Sequence, residues 1–263
     1  MRYFPKKRLG QNFLVDKNVQ RNIIEKCQLK PMDYVLEIGA GRGELTNLIA
    51  GRVKKIYCLE LDAYLCEILR GNLKGAKNLV VINKDILKFN FKNYFKSKNK
   101  IKVVGNIPYY ISSPLIEHLL KFRSKLDSVF LTVQKEFAQR LVAAPGSKIY
   151  GALSCFIQYY AEPQILFHIK KTSFFPQPKV DSCFLRLKIR PICPVKVKNE
   201  RLLFKIIRTA FNFRRKTLRN SLRGVVPAKK LRDFFYKYSI DKNIRPEDLS
   251  LEQFACLTNE TSA

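Results

Sequence analysis

The run Glu37-Ile38-Gly39-Ala40-Gly41-Arg42-Gly43-Glu44-Leu45-Thr46 joins an apolar β-type segment to an amphipathic one through closely spaced glycines. Without a Cβ, Gly39 and Gly41 would let a ligand approach the main chain closely, although a tight strand-to-helix connection with no ligand would look the same. Gly43 follows Gly41 by two positions, and Glu44 occupies the place where a dinucleotide fingerprint has Gly or Ala. That departure disfavours a nicotinamide cofactor. Glu60 ends the next β-type run, about 20 residues past the turn, where a carboxylate can accept hydrogen bonds from both hydroxyls of a ribose. Asp85 stands in the same relation to the run that follows. Glu37, Glu60 and Asp85 thus place carboxylates at three consecutive strand ends of a basic chain. Together they suit a ligand with a ribose, an adenine and a positive sulfonium centre better than one with a pyrophosphate. Taken singly, each could be a solvated surface acid.

A fourth β-type run ends in Asn106-Ile107-Pro108-Tyr109-Tyr110, which resembles the Asn-Pro-Pro-Tyr type motif of amino-methyltransferases. An exocyclic adenine amine is a poor nucleophile because its lone pair is delocalised into the ring, whereas a methyl group on sulfonium is already activated. Such a transfer needs positioning and polarisation more than a strong base. The Asn106 side-chain oxygen and the Ile107 carbonyl can accept hydrogen bonds from the amine and favour a geometry that turns the lone pair toward the methyl. Tyr109 would stack on one face of an extruded base, and Phe174, in Phe174-Phe175-Pro176-Gln177-Pro178-Lys179-Val180-Asp181-Ser182, would cover the other. Phe175 competes for that second role, but ordinary core packing is the expectation for Phe175 and Tyr110.

These residues need a scaffold that brings strand ends together. The first two-thirds of the chain alternate short β-branched runs with amphipathic segments, the pattern of a parallel sheet flanked by helices. Strands are predicted at Tyr34 to Ile38, Ile56 to Leu61, Leu79 to Ile82, Ile101 to Gly105, Val129 to Val133, Ile165 to Ile169 and Ser182 to Ile189. Apolar spacings of three and four predict helices near Val19 to Cys27, Leu45 to Gly51, Ala63 to Leu73, Pro114 to Phe122, Glu136 to Ala143 and Ala152 to Tyr160. Only the loop Lys170 to Val180 precedes the last strand, so that strand is expected to run antiparallel as part of a hairpin. Two prolines in Arg190-Pro191-Ile192-Cys193-Pro194 mark a composition shift, and the residues after them read as helices and polar turns. The expected organisation is α/β: a seven-stranded, mostly parallel sheet in residues 1–190 and a small helical domain in residues 191–263.

The chain carries 50 Lys and Arg against 21 Asp and Glu, a formal charge of +29. Such an excess calls for a polyanion, either nucleic acid or an anionic membrane surface. Nucleic acid is favoured, since no apolar run approaches the roughly 20 residues that span a bilayer and the basic residues are spread along the chain. Seven cysteines with no Cys-x-x-Cys pair read as reduced core residues. His118 and His168 have no partner at a ligand spacing, so no metal site is expected. The start, MRYFPKKRLGQNFL, lacks the apolar stretch of a signal peptide, and a cytoplasmic setting is expected.

Gln11-Asn12-Phe13-Leu14, the Glu37 to Thr46 turn, Asn106 to Tyr109, Gln134-Lys135-Glu136, Pro145-Gly146-Ser147 with Tyr150-Gly151, and the Phe174 to Ser182 loop occur in the order found in the ribosomal RNA adenine dimethyltransferase superfamily, which the chain resembles over nearly its whole length. Ala210 to Leu222 and Arg245 to Ser250 resemble the bacterial small-subunit branch, and set the chain apart from macrolide-resistance enzymes acting on 23S rRNA. Ala40 departs from the proline common in that branch, and Glu44 from a small residue. The resemblance implies a class I methyltransferase (Rossmann-like) sheet with S-adenosylmethionine as cofactor. It also implies dimethylation of the N6 amino groups of two adjacent adenines near the 3′ end of 16S rRNA, in an immature small ribosomal subunit. Carried over by position, Asn12, Leu14, Gly39, Gly41, Glu60, Asp85 and Asn106 would line the cofactor site, with Asn106, Tyr109 and Phe174 acting in catalysis. Arg208, Arg215, Arg219 and Arg223, spaced by seven, four and four, would form one helical stripe that grips RNA backbone, or simply a solvated basic face. The protein is expected to act as a monomer. Two rival readings are an assembly or transcription factor that keeps the fold without catalysis, and a nicotinamide-dependent oxidoreductase.

Overall fold

A computed structural model describes residues 4–95, 99–213 and 215–262; Arg214, which falls within a motif quoted above, lies outside the described residues. By contacts the chain divides into two units. The first comprises Met1–Ala138 and Gln164–Ile189, and the second comprises Gln139–Pro163 and Arg190–Ala263.

The strands are β1 (Phe13–Leu14), β2 (Tyr34–Ile38), β3 (Lys55–Glu60), β4 (Leu79–Asn83), β5 (Ile101–Asn106), β6 (Leu126–Gln134), β7 (Ala161–Ile169), β8 (Phe174–Phe175) and β9 (Ser182–Ile189). The helices are α1 (Lys17–Lys26), α2 (Glu44–Ala50), α3 (Ala63–Asn72), α4 (Phe91–Tyr94), α5 (Ser112–Lys121), α6 (Lys135–Val142), α7 (Ala152–Tyr160), α8 (Glu200–Asn212), α9 (Leu218–Ser221), α10 (Ala228–Lys237) and α11 (Leu251–Thr261). All seven strands read from the sequence are present in one sheet, ordered β4-β3-β2-β5-β6-β9-β7. β4, β3, β2, β5 and β6 pair in parallel, and β9 runs antiparallel to β6, as the missing crossover helix implies. Two elements were not anticipated, the short helix α4 and an antiparallel pair between β1 and β8.

Chain order reverses between β2 and β5, since β3 and β4 lie to one side of this pair and β6 to the other. Ligands bind open α/β sheets at such a switch point, outside the carboxyl ends of the strands. The strands that flank it are apolar on both faces: Val35, Leu36, Val103 and Val104 are fully buried. They also run close together, for a Cβ on Gly105 would meet the Ile38 carbonyl oxygen at 3.0 Å.

In the second unit, α8 turns Leu203, Ile206, Ile207 and Ala210 inward, a stripe at helical spacing. Phe211 packs its ring against Tyr150 and Phe254. The basic stripe expected on one helix is broken: Arg208 lies in α8, which ends at Asn212, and Arg219 lies in α9, which Thr217 begins by capping the Asn220 N–H. Between them Phe213 leaves helical geometry and its ring sits 4.6 Å from Lys216 Nζ. Arg208, Arg215, Arg219 and Arg223 are all exposed, but they do not share a helix face. The spacing of seven, four and four was read through a turn.

Candidate active site

A cleft of about 220 Å³ opens at the switch point. Six of the sequence-predicted ligand residues line it: Asn12, Gly39, Gly41, Glu60, Asp85 and Asn106. Each reaches the cleft by local chemistry. Gly39, Gly41 and Gly43 adopt φ of 69°, 59° and 92°, a left-handed conformation that favours glycine, and so carry the chain from β2 into α2 with bare backbone beside the cleft. The Glu60 carboxylate clamps this turn to the end of β3. Its two oxygens accept from the Gly41 N–H at 3.0 Å and the Asp62 N–H at 2.9 Å. Burial pushes its carboxyl above the ordinary range, and these backbone N–H groups partly offset the rise. Each oxygen keeps lone-pair capacity for a further donor. Asp85 caps a short helical turn by accepting from the Leu87 N–H.

Asn106 stands at the end of β5, and its amide nitrogen donates to the Asn12 carbonyl at 2.8 Å. That bond fixes which end of the amide is which. The nitrogen is committed to the carbonyl, so the oxygen is the end left to accept a hydrogen bond. Asn12 belongs to a segment, Leu9 to Phe13, that roofs the cleft. The roof is held at several points. β1 pairs with β8 (Phe13 with Phe175, Leu14 with Phe174), Gln20 Nε2 donates to the Leu14 carbonyl, and Lys6 Nζ lies 2.6 Å from Asp62 Oδ2. Gly10, at φ 60°, lets the backbone pass against Tyr110 and Pro108, where a Cβ would come within 3.1 Å of the Tyr110 ring.

Other assignments are corrected. Leu14 is 4% exposed and packs in the apolar core with Ile23, Ala40 and Phe174; it anchors the roof and does not line the cleft. Phe174 is likewise a core side chain at 3% exposure, while Phe175 is 58% exposed. Adjacent residues of a strand face opposite ways, and the pairing of β8 with β1 turns Phe174, not Phe175, inward. Tyr110, expected in the core, is 64% exposed and lines the cleft. Tyr109 is half-buried beside the cleft-lining Pro108 and Tyr110, with its hydroxyl 2.6 Å from Ser182 Oγ. Glu37 is not a ligand group. It is buried inside β2, accepts from Thr46 Oγ1 at 2.6 Å, and is pushed up to about 8 by burial. A carboxyl so placed is mostly neutral at pH 7.

The cleft also has an apolar lining that the motifs do not single out, which includes Phe13, Leu61, Leu65, Ile86 and Ile111. Leu61 and Ile86 directly follow the strand-end acids Glu60 and Asp85, a position that would have flagged both. Phe13 also receives the Arg42 guanidinium 4.7 Å above its ring. The cleft therefore offers a carboxylate with spare acceptor capacity, bare glycine backbone, apolar walls, and an amide oxygen presented at one end. It suits a nucleoside-like ligand beside a hydrogen-bond donor such as an amine.

Comparison with known proteins gives a consistent picture. The family described as "Ribosomal RNA adenine dimethylase" matches residues 4–262. "Ribosomal RNA small subunit methyltransferase A" of Alkaliphilus metalliredigens is 40% identical, over 98% of this chain and 92% of that protein. The protein of the same name from Clostridium botulinum is 41% identical, over 96% of this chain and 92% of that protein. Among solved structures, a dimethyladenosine transferase from Plasmodium falciparum aligns with a TM-score of 0.81 at 26% identity, covering 93% of this chain and 95% of the other.

Proposed function

We infer the chemistry of this cleft from the premise that the chain belongs to the ribosomal RNA adenine dimethylase family. It is an S-adenosylmethionine-dependent methyltransferase that dimethylates adenine N6 in ribosomal RNA. The cleft fits that cofactor: Glu60 has acceptor capacity for ribose hydroxyls, Gly39 and Gly41 present backbone with no Cβ, and Leu61 and Ile86 supply apolar walls. Asn12 and Asp85 complete the group of residues that would hold it. When bound, the cofactor supplies a methyl group activated by its positive sulfonium.

The protein's own residues would manage the acceptor. Asn106 Oδ1 and the Ile107 carbonyl accept the two N–H bonds of the exocyclic amine, which favours a pyramidal nitrogen with its lone pair turned out of the ring plane. The Asn12 carbonyl holds the Asn106 amide with its oxygen outward, so this orientation costs no rearrangement at the moment of reaction. Tyr109 meets the face of the base. Phe174 would join it only by leaving the core, and Phe175 is the exposed ring of the pair.

The RNA is read as the hairpin near the 3′ end of 16S rRNA carrying two adjacent adenines, within an immature small subunit, and the protein as a cytoplasmic monomer with a role in small-subunit biogenesis. The names of the 40–41% identical relatives and the +29 charge support this reading. No helix among the described residues is long and apolar enough to cross a membrane. Residues 1–190 serve as the cofactor-binding domain and residues 191–263 as a helical domain whose exposed Arg208, Arg215, Arg219 and Arg223 contact phosphates as separate points. The second unit draws in Gln139–Pro163 as well.

One observation carries this reading: the Asn106 amide lies on the same cleft as Glu60 and the glycine turn, with its oxygen free to accept. The test is transfer of labelled methyl groups to small subunits that lack the modification. Asn106→Ala should lose at least about 100-fold in kcat, and labelling equal to wild type refutes the role given to Asn106.

A further inference from the structure

Tyr109 opens a short helical turn, Tyr109–Ile111, immediately after Asn106-Ile107-Pro108. Two side-chain torsions place such a ring, and the direction of its long axis is held where the phenol at its tip is anchored outside the turn. The restraint comes from β9, at the same edge of the sheet. The Tyr109 hydroxyl and Ser182 Oγ are 2.6 Å apart, a normal O–H···O hydrogen bond.

Ser182 is a fixed point. It is fully buried, begins β9, and stands opposite Gln134 at the end of β6. The preceding residue, Asp181, accepts from the Lys135 N–H through its carbonyl at 3.1 Å. Its carboxylate accepts from the Lys171 N–H at 2.9 Å, closing the base of the 171–181 loop that carries Phe174 and Phe175. The phenol of Tyr109 is thus tied to a position that both the sheet and this loop determine. A tyrosine acting only as apolar filler would need no such tie.

We propose that Ser182 is a positioning residue for the acceptor side of the reaction, its hydroxyl fixing the direction of the Tyr109 ring axis through the phenol. The proposal rests on the reading of Tyr109 as the aromatic that meets the base. Burial also holds the Tyr109 phenol above its ordinary range, so it stays protonated and able to hydrogen-bond throughout the neutral region.

The test is a double-mutant cycle in the full chain, with kcat and KM for methyl transfer to unmodified small subunits, and the dissociation constant for S-adenosylmethionine by calorimetry. Ser182→Ala and Tyr109→Phe should each lower kcat by about tenfold, with the affinity for S-adenosylmethionine unchanged. The double variant should be no slower than either single one, because both substitutions remove the same bond. Losses that multiply in the double variant overturn the proposal. So do single variants with wild-type kcat when Tyr109→Leu is inactive, a result that leaves the role of Tyr109 standing. Wild-type kcat in Tyr109→Leu removes that role, and the proposal with it. Should Ser182→Ala fail to fold, Tyr109→Phe decides alone, since it removes only the hydroxyl: an unchanged kcat overturns the proposal and a tenfold loss supports it.

Discussion

Replacing Glu37 by Gln should make the fold less sensitive to rising pH, by an amount that the burial of Glu37 sets. The Glu37 carboxyl is enclosed within β2 beside Thr46 and Cys58, and burial carries it from an ordinary 4.5 up to about 8. The folded state therefore holds this proton more tightly than the unfolded chain. For a group of this sign, the contribution to stability is fully present below pH 4.5 and is lost as pH rises through about 8. At about 1.4 kcal/mol per pH unit, the whole passage amounts to on the order of 5 kcal/mol. Roughly half of it, about 2.5 kcal/mol, falls between pH 5.5 and 7.5. The glutamine side chain has the same shape and does not titrate, so its own packing cost is a constant offset. The assay is urea unfolding of both proteins at several pH values across that window. The difference in unfolding free energy, Glu37→Gln variant minus wild type, should rise by about 2.5 kcal/mol from the acid to the neutral end. Titrating groups that do not interact with Glu37 cancel in this difference. Two stability curves that run parallel across the window would refute the assignment of a buried, proton-holding carboxyl.

Three further outcomes follow from the placement of other side chains. Glu60→Gln exchanges one of the two acceptors that bind Gly41 and Asp62 for an NH2 group facing a backbone N–H, and should weaken S-adenosylmethionine binding about 10- to 100-fold by calorimetry; an unchanged dissociation constant would remove Glu60 from the site. Leu14→Ala empties a core position and should cost about 2–4 kcal/mol in chemical unfolding, whereas a cost below about 0.5 kcal/mol would contradict its burial. Replacing Arg219 and Arg223 together by Ala should lower the slope of log affinity for RNA against log salt by about two if each contacts a phosphate. An unchanged slope would make them a solvated face.

The sheet was legible because strand pattern is a local property. β-branched runs separated by amphipathic stretches mark seven strands, and the loop Lys170 to Val180, lacking a crossover helix, already implied that β9 reverses. Much of the site was legible for a related reason. Ligands meet open α/β sheets at strand ends, so Gly39, Glu60, Asp85 and Asn106 identify themselves by position. The errors lie where burial or pairing decides. Glu37 is a carboxylate at a strand end like Glu60, yet one faces Thr46 inside the fold and the other the cleft, and residue type does not distinguish them. Phe174 and Phe175 must face opposite ways, but which one is buried depends on pairing with β1, some 160 residues away. β1 itself is two residues long, too short to carry a period. The arginine stripe failed through a local signal that was available, Thr217 as a cap that begins a new helix.

The bond between Asn106 and residue 12 is made to a main-chain carbonyl. The letter at position 12 is thus irrelevant to that bond, while the spacing of the chain around it is not. Alleles that respell residue 12 should keep the Asn106 amide in its orientation. A single codon inserted or deleted between Gly10 and Phe13 would put a different carbonyl in front of Asn106, or none. What this bond conserves between Gly10 and Phe13 is the length of the chain, and any constraint on the side chain at residue 12 comes from the cleft that it lines.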